Sequence, residues 1–374
     1  RDIDRIVSLL RRLRDAGNTL LVVEHDPQVM VAADRILDLG PGPGEHGGQV
    51  VFHGTPSQLL ATPDSLTGAY LAGRRTVAEP AAPKRLVAGE PMLRVLEARA
   101  NNLAGIDVEI PLNRLVVVTG VSGSGKSTLV EDVLYRALMK LKGRPTENPG
   151  EHHAVEGHEL VADALLLDQS PIGRTSRSNP ASYVGALDPI RKRFAATSLA
   201  RERGYTAGTF SFNSGTGRCP TCGGSGFEHL EMQFLADVYL RCPDCDGRRY
   251  RPAVLEVTLD LGTPRQLDGR GLSIADVLDL TVTEAAAAFA DQPEVLRALD
   301  PLQAVGLGYV RLGQPVPTLS GGEAQRLKLA EHLVQARARR KGAPNAGLLF
   351  ILDEPTTGLH FSDIANLLAA FRRL

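Results

Sequence analysis

The sequence predicts an α/β fold with a cysteine-rich insertion, on three observations. An apolar run at 115–119 leads into Gly120-Val121-Ser122-Gly123-Ser124-Gly125-Lys126-Ser127, and a helical pattern follows to about residue 142. Leu319-Ser320-Gly321-Gly322-Glu323 opens a second helical pattern, followed by an apolar run at 348–352 that ends in Asp353-Glu354-Pro355. Between these motifs lie all four cysteines, spaced C-x2-C-x19-C-x2-C. Short apolar runs alternating with helical periods indicate strands joined through helices.

At 374 residues the chain is long enough to bury a large core and to hold more than one domain. A net charge of −1 gives no global attraction to nucleic acid, so any such binding must come from a local patch. No apolar run is long enough to span a bilayer, so a cytoplasmic protein with no membrane partner is expected. Cysteines grouped as C-x-x-C pairs fit a reducing compartment and a metal better than disulfides. The first residue is Arg1, and the opening and closing stretches share Asp-Ile and Arg-Arg-Leu at the same offsets. These two features predict a piece of a tandem-repeat protein, cut at equivalent points of both copies.

Residues 1–14 read as an amphipathic helix and 19–23 as a strand delivering Glu24-His25-Asp26. Residues 31–37 look helical, 36–40 and 49–54 read as strands, and Thr55-Pro56-Ser57 starts a helix. Residues 76–90 have linker composition. From 92, strands lead to the run at 115–119, and a helix runs from Ser127 to about Lys142. The polar stretch 143–160, with His152, His153 and His158, is expected to be a solvated loop. Residues 165–167 form a strand before Asp168-Gln169. The stretch 170–205 is basic, carrying Arg174, Arg177, Arg191, Lys192, Arg193, Arg201 and Arg203. Residues 273–308 alternate helical patterns with turns, and a helix runs from Glu323 to about Ala338.

G-x-x-x-x-G-K-[ST] between a strand and a helix is the phosphate-loop pattern, so ATP is the expected ligand. Gly120, Ser122, Gly123, Ser124 and Gly125 turn backbone N–H groups toward the phosphates, helped by the helix N-terminus. Lys126 should reach the β- and γ-phosphates and the Ser127 hydroxyl should ligate Mg²⁺, with Thr128 following in the cradle. Asp353 would hold the metal through water, and Glu354 would polarise the attacking water. Ser320, Gly321 and Gly322 would offer their groups to a γ-phosphate. Together these motifs match the ATP-binding-cassette architecture, a P-loop NTPase with a helical signature subdomain, in which two cassettes close on ATP. In that family Gln169 resembles the glutamine that couples nucleotide to an inserted domain, and His25 the switch histidine.

Cys219, Cys222, Cys242 and Cys245 can close a tetrahedral four-thiolate Zn²⁺ site, whose full coordination makes it structural. A redox C-x-x-C is the competing reading. The alternating residues 227–234 suggest a hairpin projecting from the knuckle.

The order of phosphate loop, Asp168-Gln169-Ser170-Pro171-Ile172-Gly173-Arg174-Thr175, Ser178-Asn179-Pro180, Phe210-Ser211-Phe212-Asn213, cysteine module ending Gly247-Arg248-Arg249-Tyr250, signature and Leu-Asp-Glu-Pro-Thr-Thr-Gly-Leu-His resembles the UvrA family. That family comprises damage-sensing ATPases of bacterial nucleotide excision repair. The resemblance implies 1–75 as the end of a first cassette and 76–90 as linker. It further implies 91–169 as the start of a second cassette, 170–312 as an insertion with its zinc module at 213–252, and 313–374 as the signature and Asp-Glu part. It also implies a homodimer of the full-length protein, sequence-independent binding of duplex DNA, and a downstream repair protein recruited through a region not in this chain. Arg174, Arg177, Arg191, Lys192 and Arg193 are the DNA-contact candidates; a solvated basic face is the alternative. A paralogue giving resistance to DNA-binding drugs and a generic cassette ATPase remain as rival readings. If residues 14–75 fill the place of the second cassette's end, a permuted single cassette results, with His25 facing Lys126.

Overall fold

A computed structural model describes residues 2–77, 85–168, 178–230, 238–262, 270–339 and 347–372. Gln169, Arg174 and Arg177 lie outside the described residues. The chain divides into two compact units, 1–168 with 339–373 and 169–338.

In the first unit Met92–Ala98 is the centre of an antiparallel sheet, flanked by Ile106–Pro111 and Ala154–Glu156. The helix after the phosphate loop lies against it, π-helical over Thr128–Tyr135 and α-helical over Arg136–Leu141. Leu129, Val133 and Ala137, and Leu134 and Leu138, recur at helical spacing and meet Leu93, Val95, Ala98, Val155, Val161 and Ala164 in one core. Complete burial of each Leu or Val contributes roughly 1.5–3 kcal/mol, so this helix is anchored mainly by its apolar face.

Val161–Leu167 and Gly347–Leu352 pair in parallel, joining parts of the chain far apart in sequence. Their register sets Leu352 opposite Leu167, so Asp353 and Asp168 leave the same end of adjacent strands. Asp2–Asp15 is helical as expected. The helix expected at 31–37 is instead Pro27–Ala32, because Asp26 caps it through the Gln28 and Val29 amides and Pro27 stands at its first turn. Ile36–Gly40 pairs antiparallel with Gln49–Gly54.

Two expected strands need correction. Among the described residues neither 19–23 nor 115–119 belongs to a sheet, and Leu21, Val23 and Val117 are 93%, 90% and 76% exposed. Apolar β-branched composition favours an extended chain, but a ladder also needs a neighbouring edge, which composition cannot specify.

The second unit is mainly helical, with Leu187–Ala195, Ile274–Asp279, Val282–Ala288, Pro293–Ala304 and Gly321–Arg339 as its principal helices. Capping boxes at Asn179/Ser182, Ser273/Asp276 and Thr281/Glu284 define three helix starts. Phe194, Phe210, Phe212, Tyr250 and Phe289 are fully buried in it. The expected hairpin is present, Phe227–Leu230 against Val238–Arg241. Among the described residues no helix is long and apolar enough to cross a membrane.

Candidate nucleotide and metal sites

The phosphate loop turns through Gly120, Gly123 and Gly125 at φ of 156°, 76° and 95°. Gly125 shows why glycine is needed there. A Cβ on it would lie 2.8 Å from Asn102 Oδ1 and 2.9 Å from Leu103 Cδ2, at a φ that side chains avoid. Asn102 in turn donates its side-chain amide to the Gly123 carbonyl at 2.9 Å, and Asn101 donates to Thr128 Oγ1 at 3.2 Å. Lys126 Nζ donates to the Gly120 and Val121 carbonyls, each at 3.0 Å, which holds the ammonium over the loop. Ser122, Ser124 and Ser127 are exposed, as a ligand cradle requires.

Glu131 stands four residues after Ser127, on the same face of the helix. Burial raises its pKa, and the charges of Asp353, Asp132 and Asp168 raise it further. The charges of Asp168 and Asp353, at the ends of the two parallel strands, thus reach the helix that follows the phosphate loop. Glu354 takes the left-handed backbone at φ 42° and accepts from Thr357 Oγ1 at 3.1 Å. A non-glycine residue in that region is strained, a condition that clusters at functional turns.

In the second unit the signature forms a capped helix start. Ser320 N donates to Glu323 Oε2 at 2.8 Å and Glu323 N donates to Ser320 Oγ at 3.3 Å. The other Glu323 oxygen accepts from the Tyr309 hydroxyl at 2.6 Å. Tyr309, Asn101 and Asn102 had no local sequence signal. They are brought in by tertiary packing.

His25 packs edge-on against His360, with ring centres 6.2 Å apart. Thr67 Oγ1 and His360 Nε2 are 3.1 Å apart, and Tyr70 stacks on Phe361 at 5.4 Å. The first 75 residues thus meet the start of the final helix. Among the described residues His25 has no hydrogen bond to Lys126.

The four cysteine sulfurs all lie within 4.8 Å of one another, with Cys219–Cys242 at 4.0 Å and Cys222–Cys245 at 3.7 Å. Tetrahedral thiolates at about 2.3 Å from a zinc ion stand roughly 3.8 Å apart, so the donor set fits that ion. No cysteine is in a disulfide. Burial pushes the Cys245 thiol up to about 12, and the neighbouring sulfurs add to the rise. Gly226 N donates to Cys222 Sγ at 3.3 Å and Cys219 N donates to the Arg249 carbonyl at 2.8 Å, which closes the two knuckles on each other.

The basic helix Leu187–Ala195 presents its cations unequally. Arg191 pairs with Asp188, and Arg193 with Asp291 at 3.2 Å. Lys192 is exposed between them and shows no partner among the described residues.

No protein-family model matches the chain. It is 52% identical to the UvrABC system protein A of Methanothermobacter thermautotrophicus and 52% identical to that of Thermus thermophilus, over its full length. It covers 37% of each, so the chain spans just over a third of these curated relatives. The crystal structure of UvrA2 from Deinococcus radiodurans matches all of this chain and 42% of that one, at 45% identity and a TM-score of 0.86. With 48–52% identity to UvrABC system proteins A along its whole length and the fold of a solved UvrA2, this chain belongs to the UvrA family.

Proposed function

We propose that this chain is part of an ATP-hydrolysing, DNA-binding subunit that senses damaged or distorted duplex DNA in nucleotide excision repair. One observation carries the reading: a phosphate-loop turn, a helix after it that feels the strand-end carboxylates, and a closed four-cysteine centre occur in one chain. In this reading Lys126 leaves the Gly120 and Val121 carbonyls for the β- and γ-phosphates. Ser127 and Asp353 would hold Mg²⁺, which offsets phosphate charge. Glu354 orients the attacking water, Gln169 links the nucleotide to the insertion, and His25 contacts the γ-phosphate. Ser320 with the Gly321 and Gly322 amides binds the γ-phosphate of an ATP held by a facing cassette.

Cys219, Cys222, Cys242 and Cys245 hold a structural Zn²⁺. DNA is met through phosphates, by Lys192 first because it has no competing carboxylate among the described residues, by Arg191 and Arg193 where their pairs can exchange, and by Arg174 and Arg177. The protein works as a cytoplasmic homodimer and hands damaged DNA to the next repair protein. Identities of 48–52% to UvrABC system proteins A along the whole chain support the repair reading.

The test is ATP hydrolysis by the full-length protein, with and without damaged duplex DNA, comparing Lys126→Ala with the parent. Stimulation by damaged DNA that disappears in the variant is expected. A parent that hydrolyses ATP with no response to damaged DNA would remove the repair reading and leave a generic cassette ATPase.

A further inference from the structure

Arg249 follows the fourth cysteine, and nothing in the nucleotide or DNA reading uses it. It is only 4% exposed. One terminal nitrogen, Nη2, donates to the Gly313 carbonyl at 2.9 Å, and Cζ lies 4.9 Å from the centre of the Phe212 ring. The other, Nη1, is buried with no hydrogen-bond partner among the described residues. Among the described residues no carboxylate forms an ion pair with it. Its neighbour differs: Arg248 has Asp276 at 2.8 Å. A buried guanidinium with one neutral acceptor and no paired anion is strongly disfavoured unless charge beside it compensates.

The thiolate cluster lies beside this side chain: a Cβ on Gly226, whose amide donates to Cys222 Sγ at 3.3 Å, would stand 3.0 Å from Arg249 Cγ. The Arg249 carbonyl accepts from Cys219 N, and Arg248 N donates to the Cys245 carbonyl, both at 2.8 Å, so the guanidinium is carried by the segment that closes the thiolate cluster. Four thiolates on one dication leave two negative charges, in a knuckle where Cys219 and Cys242 are 2% and 0% exposed.

We propose that Arg249 is the built-in counter-cation of the four-cysteine centre. It offsets part of the excess negative charge of the metal-bound thiolates and ties the centre to Gly313, seven residues before Ser320 of the signature. The inference rests on the zinc reading above. Arg249 is thus a positioning residue, and its effect should depend on the metal.

The experiment compares the zinc-loaded full chain with Arg249→Gln, which removes the charge, and Arg249→Lys, which keeps it. Zinc transfer to a chelating dye and thermal melting before and after zinc removal under reducing conditions are read. Arg249→Gln should lose zinc about 10–100-fold more readily, the range seen when partners of metal ligands are removed. Arg249→Lys should stay within about threefold of the parent, since its charge is retained. Arg249→Gln should lower the melting temperature of the zinc-loaded form but not of the stripped form, where the buried cation has lost its anion. An equal drop in both forms, or parental zinc retention by Arg249→Gln, would overturn the proposal. Should Arg249→Gln fail to fold, Arg249→Lys decides: retention near the parent supports the counter-cation, and loss comparable to Cys245→Ser overturns it. A parent that takes up no zinc removes the zinc reading itself.

Discussion

Glu323 shows how much one side chain can organise. Its two oxygens serve the Ser320 amide and the Tyr309 hydroxyl, so the signature turn is held from its own helix and from an outside loop. Burial, with the Glu323 hydrogen bond next, raises the Tyr309 pKa, so the hydroxyl stays a donor throughout the physiological range. Tyr309→Phe should cost about 1–2 kcal/mol, read as a lower denaturant midpoint, because one carboxylate oxygen loses its donor. ATP hydrolysis by the full-length protein should fall with it; an unchanged midpoint would show that Tyr309 does not hold the turn. The Leu-Ser-Gly-Gly run was legible in the sequence. Tyr309, eleven residues earlier and in another turn, was not, because only packing brings its hydroxyl to Glu323.

At the scale of elements, the cysteine module was legible because ligand spacing is itself a geometric statement. A C-x-x-C turn presents two sulfurs to one point, and two such turns meet here with every sulfur within 4.8 Å. Gly224 fits the module to the rest of its unit. Its φ is 92°, and a Cβ there would lie 2.0 Å from the Phe212 carbonyl oxygen. Gly224→Ala should therefore open the knuckle, with a loss of about 2 kcal/mol or more from backbone strain and clash. Zinc content per folded chain and melting temperature check this; a parental value of both would count against the close approach. The strands expected at 19–23 and 115–119 fail for the opposite reason. Strand patterning speaks of one chain's preference, and a sheet is a relation between two.

At the scale of the whole molecule, the contact between the first 75 residues and the final helix joins groups 293 positions apart. Thr67 gives its hydroxyl proton to Asp38 at 2.9 Å, so His360 Nε2 must donate to the Thr67 oxygen. Nδ1 is then left to accept from Ser362 N at 3.3 Å, capping that helix. This arrangement needs a neutral ring, and burial lowers the His360 pKa below its ordinary 6.5. The contribution is present above pH 6.5 and is lost as pH falls below it toward the depressed folded value, since the unfolded chain binds the proton first. Melting temperature should therefore drop on going from pH 7.5 to 5.5 by more in the parent than in His360→Gln; equal drops would clear His360 of the effect. What is local could be read along the chain: the phosphate loop, the signature turn, the Asp-Glu strand end and the cysteine spacing, because each depends on covalent separation alone. Neighbours in space set the parallel pairing of 161–167 with 347–352, the meeting of the four sulfurs and the burial of Arg249. Pairing register, burial and charge compensation are properties of neighbours in space, and no spacing along the chain encodes which neighbours meet.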